Sequence, residues 1–413
     1  MSLDFSLSTE QEEIRRLAHE FAVEEMRPRA DYYDEHEETP WEVMRKAHEI
    51  GLDASAGLPE AYGGGGVDFL SELILTEELS WGDAGIAVAI NATGLCGAAV
   101  VAMGTESQKQ RYVGMLTDRK ELRIGAMGLT EPSSGSDAMS LETTARKVDG
   151  GWLLNGTKQF CTNGGIADVQ VIFATTDRSL GPAGIAGFVI EKANPGMRQG
   201  RKERKMGVRA SHTAQVILED CLVPEEARLG AEADGSETGP GAVGALLMLE
   251  ATRPLVGAGA LGIARAAYDF ARGYSLERRA FGKPIAQHEA IAFKLADMAT
   301  EIDAARLLIW RAGWMIMQGL PFARAEGSMA KLFAGDMAMR VTTEAVQVLG
   351  GYGYVKEFPV ERFMRDAKIY QIWEGTAEIQ RLVISRAILG ERQAIPRPAL
   401  VRDAAAEVRA AVG

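Results

Sequence analysis

The residues with the most chemical promise lie near the C-terminal end of the chain. In the run IYQIWEGTAEIQR, Ile369 to Arg381, one carboxylate, Glu374, stands directly before Gly375 and Thr376. Ahead of it, Ile369, Tyr370, Ile372 and Trp373 form an apolar run that should be buried. Behind it, Ile379, Leu382, Val383 and Leu389 recur at helical spacing. Glu374 therefore sits where the chain turns, among side chains large enough to exclude water. A carboxylate held that way has a raised pKa and becomes a usable base. The same pattern also fits an acid in the first turn of a helix, favoured by the helix dipole. This stretch alone leaves both readings open.

Other chemistries find less support. The five histidines form no HExxH or similar cluster, and Cys96, Cys161 and Cys221 lie far apart, so neither a metal site nor a disulfide framework is expected. A reducing cytoplasm fits that cysteine usage. Gly257, Gly259 and Gly262 spell the dinucleotide fingerprint GxGxxG, with Glu277 at the distance of its ribose acid. The motif needs a strand before it and a βαβ unit around it. The preceding GALLMLEATRPLV is too long and helix-prone for one strand, so close helix packing is the stronger reading.

Composition narrows the class. Of 413 residues 46% are hydrophobic and 25% charged, as in an ordinary globular protein, and the net charge of −12 argues against a nucleic-acid partner. The densest basic cluster, RKERK at Arg201–Lys205, reads as a solvated loop or a small anion or partner contact. The opening MSLDFSLSTEQEE has no basic or apolar signal region, and no transmembrane helix is expected, for want of an uncharged apolar run of about 18 residues.

The elements that must position Glu374 read as mainly α with a β insertion. Residues 1–125 form an N-terminal helical domain, opened by a capping box at Ser8–Gln11 or Thr9–Glu12 and an apolar face of Ile14, Leu17, Ala18 and Phe21. GLPEAYGGGG, Gly57–Gly66, is a loop. Residues 126–235 form a middle β domain. Trp152–Thr157 reads as a strand entering a hairpin turn at Asn155-Gly156, and Val169–Ala174, Gly187–Glu191 and Gln215–Leu218 read as further strands. Ala231–Gly241 is a linker. Residues 236–390 form a C-terminal helical bundle, with long amphipathic patterns over 287–318 and from Pro321 to Leu349. Residues 391–413 read as a surface tail.

Separated segments share one further property. GLTEPSSGSD (Gly128–Asp137), LNGTKQFCTNGG (Leu154–Gly165), TRPLVGAGALG (Thr252–Gly262), ERRAFGKPI (Glu277–Ile285), AVQVLGGYGY (Ala345–Tyr354) and IYQIWEGT, in that order, resemble the acyl-CoA dehydrogenases, most closely the medium- and short-chain members. The resemblance runs from about residue 8 to 390. It implies a helical domain, a β-barrel domain and a four-helix bundle, commonly in a homotetramer with FAD extended between subunits. It also implies α,β-dehydrogenation of an acyl-CoA thioester to trans-2-enoyl-CoA. A base removes the α proton while the β hydrogen passes as hydride to flavin N5.

The base aligns with Glu374. Some relatives carry theirs immediately before a bundle arginine, but that position here is Thr252, which cannot serve. Enolate charge on the thioester oxygen would be met by the N–H of Glu374 and a ribityl hydroxyl of FAD. The resemblance places Leu129 and Thr130 at the flavin and Ser136 between FAD and CoA. Thr162 matches a contact near flavin N5. Phe160 stands where many relatives have Trp, and Cys161 is a backbone contact. Arg278 and Phe281 would reach the FAD of a neighbouring subunit, Arg278 as a bidentate phosphate ligand. Glu289 replaces a common Gln there. Gln347, Gly350 and Gly351 match a pyrophosphate contact, although the glycine pair also fits a helix stop. Thr376 and Glu378 match FAD contacts. Glu250, Arg253 and Gly375 fall on the substrate side, where Arg253 could instead be a structural ion pair. Asn91, Ala87 and Ile90 lie on a helix that lines the acyl cavity in similar enzymes.

The acceptor implied is electron-transfer flavoprotein, with Glu203 near the region relatives use for it. An acyl-CoA oxidase would use oxygen, but such chains are often longer. A non-catalytic subunit that completes a partner's FAD site could lose its base, whereas Glu374, Thr162 and Ser136 are all present.

Overall fold

The computed structural model describes residues 5–232 and 241–390. The tail expected over 391–413 and most of the expected linker lie outside those residues. The α-helices of seven residues or more are α1 (Thr9–Phe21), α2 (Ala30–His36), α3 (Trp41–Ile50), α4 (Phe69–Gly82), α5 (Ala84–Asn91) and α6 (Thr93–Met103), followed after the sheet by α7 (Gly241–Glu277), α8 (Glu289–Met317), α9 (Glu326–Leu349), α10 (Val360–Ala367) and α11 (Ala377–Ile388). The fold is mainly helical, with a curled sheet between the helical regions.

Only one of the two expected capping boxes closes. Ser8 accepts from the N–H of Gln11 while the Gln11 side chain accepts from that of Ser8, and Thr9 is already helical. Ala18 and Phe21 of α1 are buried, but Leu17 is exposed. α9 begins at Glu326 rather than Pro321. One expectation needs outright correction. Ala84–Met103 is a run of 20 residues without a charge, long and apolar enough to cross a membrane, with mean hydropathy 2.0 and 61% of it buried in the fold. Asp83 caps the start of α5, and α5 and α6 supply core residues such as Ile86, Ile90 and Val100, so the apolarity is used in packing.

The sheet has seven strands: β1 (Gly125–Gly128), β2 (Thr144–Val148), β3 (Gly151–Thr162), β4 (Val169–Thr175), β5 (Ile185–Glu191), β6 (Met197–Lys202) and β7 (Thr213–Val223). They run in the order β1-β4-β2-β3-β7-β6, with β5 also paired to β4. The turn expected at Asn155-Gly156 is not there. β3 runs straight through it, and the register against β7 shifts between Leu154 and Gly156, as at a bulge. Gly156 has φ 152°, and a Cβ there would lie 2.5 Å from the Thr143 hydroxyl. The hairpin between β2 and β3 turns instead at Asp149-Gly150, with Gly150 at φ 86°.

The glycines of the apparent dinucleotide fingerprint lie inside α7. A Cβ on Gly257 would meet Ile309, one on Gly259 the Tyr370 hydroxyl, and one on Gly262 would lie 2.3 Å from the Glu77 carbonyl oxygen. They let α8, the turn after α10 and α4 approach α7 closely. The bundle thus closes around the segment that carries Glu374.

Candidate active site

Glu374 occupies a short connection between the 3-10 turn Lys368–Gln371 and α11. It does not lie in the first turn of α11. Thr376 is the N-cap, accepting from the N–H of Ile379 at 3.2 Å. Glu374 and Gly375 are both left-handed, with φ 48° and 90°. Glycine adopts that conformation freely, whereas a glutamate there stores about 1–3 kcal/mol of strain that the surroundings must hold. Upstream, Tyr370 is buried and meets Trp373 edge-on at 4.9 Å. Ile372, expected inside, is 49% exposed, and Leu382 and Leu389 of the following segment are exposed too.

As a residue Glu374 is half-buried. Protein nevertheless surrounds the carboxyl densely, and loss of water pushes its pKa up to about 7. Lys331, the Thr252 hydroxyl and Arg253 pull the other way. Thr252 Oγ1 donates to Glu374 Oε2 at 3.3 Å. The position that cannot supply a base thus touches the Glu374 carboxyl. Arg253 pairs with Glu250 and donates to Ser328 Oγ at 2.7 Å, so the ion pair expected as its alternative role is present.

A second group forms where β1 meets β3. Thr130 O accepts from the Gln159 N–H at 2.8 Å. Leu129 O accepts from Lys158 Nζ at 3.1 Å. Phe160 has φ 56° and is 62% exposed, leaving its ring free to face a planar ligand. Cys161 is buried with its thiol pushed up to about 12 by burial, which leaves it inert. Thr162 is half-buried beside Thr213 on β7, and Ser136 is exposed on the loop after Thr130. Beneath them Lys158 Nζ donates to Glu131 Oε1 at 2.6 Å, with both side chains almost wholly buried. Glu131 also accepts from the N–H groups of Glu142 and Thr143 at 2.6 and 3.0 Å. Burial works against its ionised form, but the Lys158 bond and its other donors hold the carboxyl below the usual range.

A third group is a cavity of about 550 Å³ whose lining includes Arg278, Gly350, Gly351, Tyr274 and Tyr352. Gly350 is the C-cap of α9 at φ 62°, so the helix-stop reading holds for it. A Cβ on Gly350 or Gly351 would meet nothing within 4 Å, so the backbone there is open to a ligand. Gln347 is exposed on the last turn of α9. Phe281, at the tip of the hairpin Arg279–Pro284, is 97% exposed. Glu378 is exposed in the first turn of α11.

Sequence reasoning missed Lys331, Gln380 and the Lys158–Glu131 pair. The signal for Lys331 was a lysine on the apolar face of α9, within SMAKLFAGDMA. Lys205, expected in a solvated loop, is half-buried and donates to Ser211 O at 2.5 Å. Among the described residues no group of three or more His, Cys, Asp or Glu is placed to hold a metal.

Family models match nearly the whole chain: the acyl-CoA dehydrogenase N-terminal domain over residues 8–120, the middle domain over 126–221 and the C-terminal domain over 239–389. A short-chain specific acyl-CoA dehydrogenase of Clostridium acetobutylicum is 44% identical over 94% of this chain and all of its own. The structure of butyryl-CoA dehydrogenase from Megasphaera elsdenii is 43% identical and superposes with TM-score 0.88, covering 94% of this chain and 100% of that one. A chain in a structure described as the electron transferring flavoprotein of Acidaminococcus fermentans is 44% identical, with TM-score 0.88 over 94% of this chain and 100% of its own. On this evidence and the site geometry, the chain belongs to the acyl-CoA dehydrogenase family.

Proposed function

We propose that the chain oxidises an acyl-CoA thioester to the trans-2-enoyl-CoA, with Glu374 taking the α proton. One observation carries the assignment of the base: a carboxyl stripped of water, with a pKa near 7, held on a strained left-handed turn. Such a group is ionised often enough near neutral pH to accept a proton, and basic enough to hold it. FAD is the cofactor, and the residues fit it. Phe160 offers an exposed ring on the strand that carries Thr162, while Arg278 lines the same cavity as the open glycine backbone at Gly350-Gly351. When bound, FAD supplies the two-electron acceptor for the β hydrogen.

The chain's own residues do the rest. Glu374 Oε removes the α proton as the Cα–H bond breaks, and the electron pair moves into the Cα–Cβ bond. Thr252 favours the ionised carboxylate before the transfer. The left-handed turn fixes the peptide N–H of Glu374, the donor expected to meet charge on the thioester oxygen. Arg253 and Glu250 hold the substrate side of α7.

The finer reading is a short-chain substrate, electron-transfer flavoprotein as acceptor and a cytoplasmic homotetramer. Identity with short-chain dehydrogenases supports the first. Similarity to a chain in an electron transferring flavoprotein structure supports the second. Exposed Phe281, Tyr354 and Leu389 support assembly, since large apolar side chains in contact with water are suited to a partner surface. The three buried free thiols fit a reducing compartment.

The test is anaerobic mixing of purified protein with acyl-CoAs from four to sixteen carbons while flavin absorbance is followed. Fast bleaching by the shorter chains supports the reading. Flavin-loaded protein that no acyl-CoA bleaches refutes it.

A further inference from the structure

The mechanism so far makes no use of Lys331, the most unusual charge near Glu374. It lies on α9 and is 1% exposed. Burying an ammonium costs several kcal/mol unless it is well paired, so packing alone does not account for it. Its one hydrogen bond among the described residues goes to the carbonyl oxygen of Gly375, at 2.7 Å. Gln380, fully buried on α11, donates to the same oxygen at 2.9 Å and to the Glu374 carbonyl at 3.3 Å. Two buried side chains from different helices thus converge on the two consecutive carbonyls of the strained turn.

The charges facing this point are few. Glu374 faces Lys331 from the turn, Arg253 from α7, Asp336 from α9 itself and Glu378 from the start of α11. Glu374 is faced by Lys331 and Arg253, with the Thr252 hydroxyl against its carboxylate. Arg253 is engaged with Glu250. Lys331 is therefore the cation least committed elsewhere.

We propose that Lys331 is a positioning residue for the dehydrogenation: it pins the Glu374–Gly375 turn through the Gly375 carbonyl and stabilises the ionised form of the base. This rests on the reading of Glu374 as that base. Burial alone drives the Glu374 carboxyl toward its neutral form, which accepts no proton. Burial lowers the Lys331 pKa to about 8, so the ammonium is still charged near neutral pH, and a positive charge one carbonyl away opposes that drift without bonding the carboxylate directly, leaving its oxygens available to substrate. The sign follows: removing the charge raises the pKa of Glu374, and the pH at which the enzyme becomes active rises with it.

The test is the pH dependence of anaerobic flavin reduction by butyryl-CoA in the FAD-loaded holoenzyme, for wild type, Lys331→Met and Lys331→Arg, with Glu374→Gln alongside. Lys331→Met should move the midpoint up by about one unit, the scale of an opposite charge at this range. Reduction would then be about fivefold slower at pH 7 and recover at alkaline pH, with the flavin spectrum unchanged. Lys331→Arg should return the midpoint toward wild type. If Lys331→Met does not fold, Lys331→Gln carries the same test, being uncharged but still a donor. An unmoved midpoint in the uncharged variant overturns the proposal. Undiminished reduction in Glu374→Gln overturns the base assignment instead, so the two failures are distinguishable.

Discussion

Two glutamates in this molecule sit beside a buried lysine and end up as opposites. Glu131 is bonded directly to Lys158 at 2.6 Å and to two backbone N–H groups, and its carboxyl lies below the ordinary range. Glu374 has its lysine one carbonyl away and a single hydroxyl at 3.3 Å, and its pKa is pushed up to about 7 by burial. Residue type and a buried lysine neighbour are shared, and the two differ in hydrogen-bond supply. A carboxylate whose acceptor sites are filled is a clamp. One left with its lone pairs free in a dry place is a base in waiting, and the fold tolerates the cost.

That contrast can be broken by mutation. The largest effect should come from Glu131→Ala, which leaves Lys158 buried without its partner. It should lower stability by about 3–5 kcal/mol in urea denaturation, while the pair replacement Glu131→Leu with Lys158→Met should cost far less. FAD binding should weaken in parallel, because Thr130 and Phe160 flank the clamp. Equal stability of Glu131→Ala and wild type would mean that the pair is not a clamp.

Glu374→Gln should go the other way. A carboxyl whose folded pKa lies near 7 against 4.5 adds stability that is fully present below the unfolded value and lost as pH rises through the folded one. Above pH 8 the ionised Glu374 is thus a liability. The glutamine variant should then be more stable by about 1–3 kcal/mol, with the gain vanishing below pH 5. A variant destabilised at pH 8 would remove the distinction between the two glutamates.

Thr252→Val sharpens the comparison further. It deletes a hydroxyl donor to Glu374, the only one among the described residues, and should raise the midpoint of flavin reduction by about half a unit, in line with one modest hydrogen bond. The last variant is a control, on a helix that carries neither glutamate. Ser8→Ala removes the α1 cap and should cost about 1 kcal/mol with no change in the pH profile.

Much of this was legible in the chain, because helix periodicity reports burial, although in the IYQIWEGT run Tyr370 is buried and Ile372 is not. α8 falls within two residues of the expected span 287–318. The Asn155-Gly156 turn was misread because a glycine demanded by a bulge and by close approach of Thr143 looks the same as one demanded by a hairpin. The uncharged run Ala84–Met103 was overlooked because Asn91 and Thr93 interrupt it without a charge. Lys331 and Lys158 escaped for a different reason. A lysine's burial depends on a partner from a distant segment, Gly375 or Glu131, and even a place on an apolar helix face, as for Lys331, does not name that partner.

The central claim is that Glu374 removes the α proton. Its most direct test is the single-turnover rate of anaerobic flavin reduction by a short-chain acyl-CoA, measured across pH for wild type and Glu374→Gln with FAD bound in both. The account predicts a wild-type rate that rises through about pH 7 and a variant slower by about 10²–10⁴-fold, without that titration. A variant that reduces its flavin at the wild-type rate, with the same rise near pH 7, would contradict it.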